Sequence, residues 1–493
     1  MLSGLIDLVE KRPRAAFAGF LAVHAAVWTL LPTILYPNLP LDLIEALTYG
    51  REWQIGYDKL PPLPWWLVEI VHLTIGADVG YYLLAQITVV AAFALVWATA
   101  RPLVGTLGAL VSVAIIDGLH YFNFTAPKFN HDVVQLPLWA LAGYAFHRAL
   151  RSGRMPYWIL LGLALGAALW AKYFVVILAL PLAAFLLFDR EARPALATPG
   201  PYVAAAVALL VALPHLVWLV NNDFLPLSYA EARAAPTRGA LDHIVRPLAF
   251  AGGQALWLIP SLLIALPLFR PRKPMQPSAA DAFDRRIVTL LTFGPAVLLI
   301  AASVLTGRRL ITMWGYPLWL FLGLWLVIVA RTPIERPRLA RMAVTWGIVT
   351  ALYAVAFVAD YAVMPNFDHR HRASLFPGDR LAQEIAGGFK AATGRPLAYV
   401  IGSMWLGGNI GHYAAEQPRT LIDGKPARTP WINLADLRAR GAVVVWSDGD
   451  RTKLPAEYAA IAAGAEVQKP LTLPFRRGQA TTELGWAILK PAP

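Results

Sequence analysis

The chain contains no cysteine, and only 15% of its 493 residues are charged. The missing thiols exclude disulfides, thiolate metal ligands and cysteine nucleophiles, and they fit an oxidising compartment. Soluble domains carry about 25% charged residues. So little charge beside 58% apolar residues argues against disorder and against an ordinary cytosolic enzyme. The sequence also shows no internal repeat and no low-complexity segment.

Apolar runs follow one another from the N-terminus to residue 363. Several reach the roughly 20 residues that an α-helix needs to cross a bilayer, and the whole pattern predicts about eleven membrane helices. The predicted spans are 15–35, 80–100, 103–117, 133–150, 157–171, 173–188, 200–220, 247–269, 287–305, 312–330 and 342–363. The first span is expected to stay uncleaved. The pair 157–171 and 173–188 can instead form a hairpin that enters the membrane only partway.

The distribution of Lys and Arg predicts the orientation of these spans. The loops on the N-terminal side, including the basic segment 270–273, carry about twice as many Lys and Arg residues as the short loops opposite. Positive loops stay in the cytoplasm, so the N-terminus is expected inside and the C-terminal tail outside. The net charge of +13 then reflects topology, and no nucleic-acid partner is expected.

The tail has a different character from the rest of the chain. Segments 397–401, 419–422 and 442–446 are typical of strands, and segments 379–392 and 455–463 are typical of helices. The sequence therefore predicts an α-helical polytopic membrane domain over residues 1–363 and a small C-terminal α/β domain over residues 364–493.

A glycine-rich stretch in the tail resembles a nucleotide loop only superficially. Gly402, Gly407, Gly408 and Gly411 follow a predicted strand and enter a predicted helix. The stretch lacks the Lys-Ser/Thr of a phosphate loop and the spacing of a dinucleotide fingerprint. Nucleotide binding is therefore not predicted, and the tail is expected to shield the site or contact the acceptor.

Ionisable side chains gather in the loops that are predicted to face outward. Such groups are costly at membrane depth, so a cluster of them predicts a functional site. Asp42 and Glu45 are three residues apart and would share one face of a helix. The other candidates in these loops are Tyr57, Lys59, Lys128, Asn130, His131, Asp132, Lys172, Tyr173, Arg308 and Arg309.

This set of residues suits a reaction of a phosphate-bearing lipid. A carboxylate can take a proton from a hydroxyl nucleophile, and Lys or Arg can stabilise a phosphate as it leaves. Structural alternatives stay open: Asp42 and Glu45 can be solvated loop carboxylates, Asp132 can cap the helix that it begins, and the basic side chains can reach lipid head groups. His215 is expected to be a packed, hydrogen-bonded histidine.

The order of the motifs resembles that of the GT-C glycosyltransferases. An acidic pair after the first span is followed by Gly-Tyr-x-Lys-x-Pro-Pro-Leu, by Asn-x-Asp entering a later span, and by a Gly-rich helix ending in Lys-Tyr. The chain is similar to the bacterial branch that includes protein O-mannosyltransferases and lipid A aminoarabinose transferases. Leu-Pro-Leu-Trp at 136–139, Pro-His at 214–215 and Asn-Asp-Phe at 222–224 are similar to rhizobial-type lipopolysaccharide galacturonosyltransferases.

The resemblance implies an inverting glycosyltransferase in the bacterial inner membrane. It would take a sugar from a polyprenyl-phosphate donor at the periplasmic face, among membrane lipids, and pass it to lipid A, core oligosaccharide or another glycan. Asp42 would be the base or orient the acceptor, with Glu45 as its helper, and Asp132 would be the second acidic position. The donor phosphate would contact Lys59, Lys172 and one of Arg308 and Arg309. The resemblance leaves a divalent cation open.

Other functions predict different features. A protein O-glycosyltransferase would share the fold. A transporter or flippase of lipid-linked sugars would place charges near the bilayer midplane and show repeated halves. A non-catalytic scaffold would tolerate exchange of the acidic loop residues. The identity of the sugar stays open, with galacturonic acid, aminoarabinose and mannose among the candidates.

Overall fold

The computed structural model of the chain describes residues 2–269 and 280–492. Arg270, Arg272 and Lys273, which belong to a predicted cytoplasmic loop, lie outside the described residues. The α-helices up to residue 358 are α1 (Leu2–Lys11), α2 (Pro13–Leu35), α3 (Leu41–Gly50), α4 (Leu63–Thr74), α5 (Asp78–Ile116), α6 (His131–Ser152), α7 (Met155–Ala171), α8 (Val176–Phe188), α9 (Gly200–Asn221), α10 (Leu225–Arg233), α11 (Asp242–Ala265), α12 (Ala282–Thr306), α13 (Leu322–Ala330) and α14 (Arg336–Val358).

The described residues form a helical structure of the membrane type, as predicted. Six helical segments are long and apolar enough to cross a membrane: Pro13–Leu35, Asp78–Ile116, Gly200–Asn221, Asp242–Phe269, Ala282–Thr306 and Arg336–Asn366. Helices α7 and α8 have only 17 and 13 residues. At ~1.5 Å per residue they extend about 25 and 20 Å, less than the ~30 Å hydrocarbon core. The predicted number of crossings and their orientation stay predictions.

The structure differs from the predicted spans at two places. The prediction of one continuous helix over 312–330 is wrong: Thr312–Gly315 is a 3₁₀ turn, residues 316–321 form turns, and only Leu322–Ala330 is α-helical. Pro317 lacks a backbone N–H, which disfavours a continuous helix here. The predicted break between 100 and 103 instead occurs at Gly105, whose φ of 71° suits glycine.

The chain divides into two compact units, which are named here by their composition. The helical unit comprises Met1–Thr29, Asp58–Leu63 and Tyr82–Val355, and the mixed unit comprises Leu30–Tyr57, Pro64–Tyr81 and Ala356–Pro493. These units are defined by contacts between residues. The predicted domains 1–363 and 364–493 were instead defined by where the membrane helices end, and that boundary stays a prediction.

The mixed unit contains a sheet with both parallel and antiparallel strand pairs. This sheet and its helices confirm the predicted α/β character of the tail. In chain order its remaining elements are α15 (Gly378–Thr393), β1 (Tyr399–Gly402), α16 (Met404–Tyr413), β2 (Arg419–Ile422), α17 (Leu434–Arg440), β3 (Ala442–Trp446), α18 (Ala456–Ala459), β4 (Glu466–Val467), β5 (Leu471–Pro474) and β6 (Thr481–Leu489). The strand order is β2-β1-β3-β6-β4, and β5 pairs with β6. The pairs of β1 with β2 and β3 are parallel, and the pairs of β6 are antiparallel.

Successive side chains along the strands point to opposite faces of this sheet, and each face has its own hydrophobic core. In β3, Val443 and Val445 join a cluster that includes Ile385 and Phe389 of α15. Their neighbour Val444 points into a second cluster, with residues of α17 and α18. Helices therefore cover both faces of the sheet.

The glycine-rich stretch of the tail allows close packing within the mixed unit. A side chain at Gly408 would collide with Thr48 and would lie 2.7 Å from Ile44, both on α3. A side chain at Gly407 would collide with Thr420 of β2. Gly407 and Gly408 thus have a structural explanation in close packing.

Candidate active site

The N-terminus of α6 orients the second acidic candidate. Asn130 precedes the helix, and its Oδ1 accepts from the backbone N–H groups of Asp132 at 3.0 Å and Val133 at 3.2 Å. Asn130 is therefore the N-cap of this helix. Because Asn130 performs the capping, the side chain of Asp132 is available for a different contact.

Asp132 forms an ion pair with Lys172. The Lys172 Nζ donates to Asp132 Oδ1 at 2.6 Å, and the two side chains are only 14% and 12% exposed. Lys172 lies where α7 ends, in extended backbone before the 3₁₀ turn Tyr173–Val175. Gln135 Nε2 donates to the same carboxylate oxygen at 3.3 Å. The sequence prediction did not include Gln135, although its i+3 spacing from Asp132 was the available signal.

His131 connects α6 to the proline segment of the helical unit. Its Nε2 donates to the carbonyl oxygen of Pro61 at 3.0 Å. Burial, with smaller contributions from the charges of Lys172 and Lys59, lowers the pKa of His131 to about 3. A neutral, buried imidazole positions the 58–63 segment, and it does not provide positive charge for a phosphate. Both lysines lie near enough to influence it, which brings Lys59 and Lys172 to the same region.

Helix α10 approaches two further basic candidates. The Nζ of Lys59 lies 5.1 Å from the ring centre of Tyr229. Arg308 Nη2 donates to Glu231 Oε1 at 2.8 Å, two residues further along the same helix. The side chain of Arg309 is exposed, and its backbone N–H donates to Ala235 at 3.3 Å.

Two other candidates lie near histidines. Tyr173 Oη lies 2.9 Å from His215 Nε2, and His215 is fully buried. His215 is thus packed and hydrogen-bonded, as expected. Lys128 ends the 3₁₀ turn Ala126–Lys128, and its charge adds to the burial that lowers the pKa of His120 to about 4.

The remaining candidates belong to the mixed unit. Asp42 and Glu45 lie on α3, one turn apart. Asp42 is in the first turn, where the helix dipole favours a negative charge, and Glu45 is buried. Tyr57 is also buried, and its hydroxyl donates to the carbonyl of Tyr49 at 2.8 Å while accepting from the N–H of Gln54 at 3.1 Å. These bonds give the Tyr57 hydroxyl a role in the local fold.

The part of the chain that the structure describes contains no recognisable metal site. No three or more His, Asp or Glu side chains there are grouped so that they can hold a metal ion. Among the candidates of the helical unit, Asp132 is instead paired with Lys172, and Arg308 is paired with Glu231. Such an arrangement is suited to an anion with adjacent hydroxyl groups, because lysine supplies donors and aspartate supplies an acceptor.

Part of the chain matches a known family model. Residues 59–218 match the dolichyl-phosphate-mannose-protein mannosyltransferase family. The matched region contains Lys59, Asn130, His131, Asp132 and Lys172.

Curated relatives are found among galacturonosyltransferases of Rhizobium johnstonii. The chain is 27% identical over 248 residues to the lipopolysaccharide core galacturonosyltransferase RgtA, and this match covers 48% of the chain and 50% of RgtA. It is 31% identical over 206 residues to the core galacturonosyltransferase RgtB, covering 39% of each protein. It is 25% identical over 335 residues to the lipid A galacturonosyltransferase RgtD, covering 66% of the chain and 68% of RgtD. The matches thus span half or less of RgtA and RgtB.

Solved structures show the same fold over nearly the whole chain. ArnT from Cupriavidus metallidurans, bound to undecaprenyl phosphate, has a TM-score of 0.63 at 13% identity, covering 97% of this chain and 99% of ArnT. The mycobacterial arabinofuranosyltransferase AftD has a TM-score of 0.52 at 14% identity, covering 96% of this chain and 40% of AftD. Together with the family match, these likenesses confirm the predicted resemblance to GT-C glycosyltransferases.

Proposed function

We propose that the protein is an inverting glycosyltransferase of the inner membrane. It moves a sugar from a polyprenyl-phosphate donor to lipid A or the core oligosaccharide of lipopolysaccharide, at the periplasmic face. The observation that carries this proposal is the Asp132–Lys172 ion pair beside the 58–63 segment, within the region that matches the family model. The named activities of the relatives support the acceptor class, and the undecaprenyl phosphate in ArnT supports the donor class.

Lys172 and Lys59 bind the donor phosphate in this proposal. A lysine ammonium has three N–H donors, and Lys172 uses one of them on Asp132. The other two can bind phosphate oxygens without breaking the ion pair. As the phosphate departs it gains negative charge, so these contacts strengthen toward the transition state and accelerate the step. Arg309 contributes a further exposed guanidinium.

Asp42 acts as the base, a role that we assign from the resemblance. The acceptor hydroxyl gives its proton to the Asp42 carboxylate while its oxygen forms a bond to C1 of the sugar. The bond between C1 and the phosphate oxygen breaks, and its electron pair leaves with the polyprenyl phosphate. Attack opposite to the leaving group inverts C1. Glu45 assists Asp42, and Asp132 keeps Lys172 oriented.

The topology of the proposal is the one expected from the loop charges. About eleven spans place the N-terminus in the cytoplasm and the C-terminal α/β domain in the periplasm. A protein hydroxyl is the second candidate acceptor, because the matching family model describes protein mannosyltransferases.

The experiment that tests the proposal is mass spectrometry of lipid A and core oligosaccharide from a deletion strain. Complementation with the wild type should restore one sugar mass that the deletion removes, and Asp42→Asn should not restore it while the protein still binds the donor. An unchanged lipid A and core profile would overturn the proposed acceptor. If the lipid-linked sugar also failed to accumulate, the transferase reaction itself would be contradicted.

A further inference from the structure

A cavity of about 230 Å³ lies within the mixed unit, at the C-terminal end of α3. It is lined by residues of α3, α4, α16, β2 and the segment before β2. Its polar lining includes Thr48, Arg51, Glu69, His72, His412 and Thr420. Leu73 and Gln417 also line the cavity and are exposed, so it reaches the surface of the unit.

Glu69 is the carboxylate that lines this cavity. Its side chain belongs to a residue that is only 5% exposed. Within residues 2–269 and 280–492, no donor forms a hydrogen bond or an ion pair with its carboxylate. Burial raises the pKa of Glu69, and the charges of His72 and Arg51 oppose this shift. The carboxylate therefore faces the cavity as an acceptor to which a ligand hydroxyl can donate.

Donors and further acceptors face the same space. Arg51 donates to the carbonyls of Gln417 at 2.9 Å and Pro418 at 3.4 Å, and a guanidinium with five N–H groups retains more. The ring of His412 lies 6.0 Å from that of His72. Burial lowers the pKa of His412 to about 4, so its imidazole is neutral near pH 7. One ring nitrogen then has a lone pair that can accept a hydrogen bond.

We propose that this cavity binds one sugar ring of the acceptor glycan. Each sugar hydroxyl both donates and accepts, which matches a site that combines Glu69, Arg51 and neutral His412. An anionic ligand would face Glu69, and a cationic ligand would face Arg51. The volume is below the ~300 Å³ of the smallest drug-sized pockets, which suits a single ring.

The position of the cavity on α3 separates it from the predicted base. The lining residues of α3, from Leu47 to Arg51, follow Asp42 by five to nine residues, or about 8–13 Å at ~1.5 Å per residue. We assign to the cavity a sugar of the acceptor next to the one that reacts. Its binding energy orients the acceptor from a distance, as remote parts of a substrate can do. This assignment to the acceptor depends on the proposed function, whereas the sugar-binding property does not.

The binding experiment uses the full-length purified protein in nanodiscs. The probe is core oligosaccharide, released by mild acid from the lipopolysaccharide of the deletion strain and titrated by calorimetry. We expect saturable binding to the wild type and at least tenfold weaker binding to both Glu69→Gln and His412→Asn. Glu384→Gln, an exposed position on α15, is the matched control and should bind as the wild type does.

A thermal melt in the absence of ligand checks that the variants fold. Glu69→Gln should melt at the wild-type temperature or above, because it removes a charge from a largely buried residue and keeps the shape of its side chain. A strongly lowered melting temperature would show that Glu69 has a structural partner, and it would overturn the inference. Failure of the wild type to bind the oligosaccharide, or equal binding by Glu69→Gln, would also overturn it.

Transfer kinetics distinguish this inference from the proposed function. Glu69→Gln should raise the acceptor KM with little change in kcat, as expected for a group remote from the reacting atoms. If transfer occurs but the acceptor KM is unchanged, the cavity inference fails and the proposed function stands. If Glu69-dependent binding occurs but lipopolysaccharide from the deletion strain has lost no sugar, the sugar site stands and the proposed function fails.

Discussion

Asp132 uses one carboxylate oxygen to accept from both Lys172 and Gln135. The same face of α6 also carries two buried polar atoms, Gln135 Oε1 and Trp139 Nε1, which have no hydrogen-bond partner among the residues that the structure describes. Buried polar atoms are almost always hydrogen-bonded in native proteins. Their position next to the ion pair suits contacts with polar groups of a substrate.

Variants of the Asp132–Lys172 ion pair should distinguish its effect on stability from its effect on sugar transfer. Asp132→Asn or Lys172→Ala should each lower transfer about 100-fold, the usual minimum for losing a positioned catalytic group. Each single change leaves one charge unpaired in a site that is largely shielded from solvent, so the melting temperature should also fall. The exchanged double variant, Asp132→Lys with Lys172→Asp, should regain melting temperature but not transfer.

The control for this prediction is an ion pair elsewhere in the helical unit. Asp189 accepts from Arg286 Nε at 2.7 Å, and Asp189→Asn should leave transfer within about twofold of the wild type. Full recovery of transfer by the exchanged double variant would contradict the role of Lys172, because it would show that only the pairing matters.

The residue types in the helical unit indicated candidate side chains, but they did not indicate which of these side chains contact one another. Asp132 and Lys172 lie forty positions apart, and their contact depends on the packing of α6 against α7. His131 was grouped with the substrate ligands because of its neighbours in the sequence. Its bond to the Pro61 carbonyl requires the folded 58–63 segment and could not be derived from spacing.

At the scale of elements, α16 depends on its glycines to pack against α3. Gly408→Ala should lower the free energy of unfolding of the protein by about 1–3 kcal/mol, as overpacking usually does. The same substitution at Gly387 in α15 meets open space, and alanine should stabilise that helix by up to about 1 kcal/mol. Denaturant titration followed by tryptophan fluorescence measures both changes. Equal shifts for the two variants would contradict the close packing of α16.

Elements with a strong local signal were the ones that the sequence predicted correctly. Strands β2 and β3 have the predicted bounds, because each is an apolar or β-branched run between turn residues. Helix α4 was missed: its 12 residues are apolar but extend only about 18 Å. The antiparallel pairs of β6 were also missed, since the alternation of 481–489 is weak and pairing with β3 joins distant segments.

For the whole molecule, the absence of cysteine offers a clean test of orientation. A single cysteine at exposed Glu384 is predicted to lie outside, and one at exposed Ser152 is predicted to lie in a cytoplasmic loop. A membrane-impermeant maleimide should label Glu384→Cys in intact spheroplasts, and it should label Ser152→Cys only after permeabilisation. The opposite labelling pattern would reverse the predicted topology, and labelling of both in intact spheroplasts would contradict it.

The most direct test of the whole account is transfer by the purified protein. Nanodiscs should contain the polyprenyl lipids extracted from the deletion strain, with lipopolysaccharide from the same strain as acceptor. The account predicts that wild-type protein adds one sugar mass to lipid A or core and releases an equal amount of polyprenyl phosphate, while Asp132→Asn does so about 100-fold more slowly. Sugar transfer without release of polyprenyl phosphate, or equal rates for the two proteins, would contradict it.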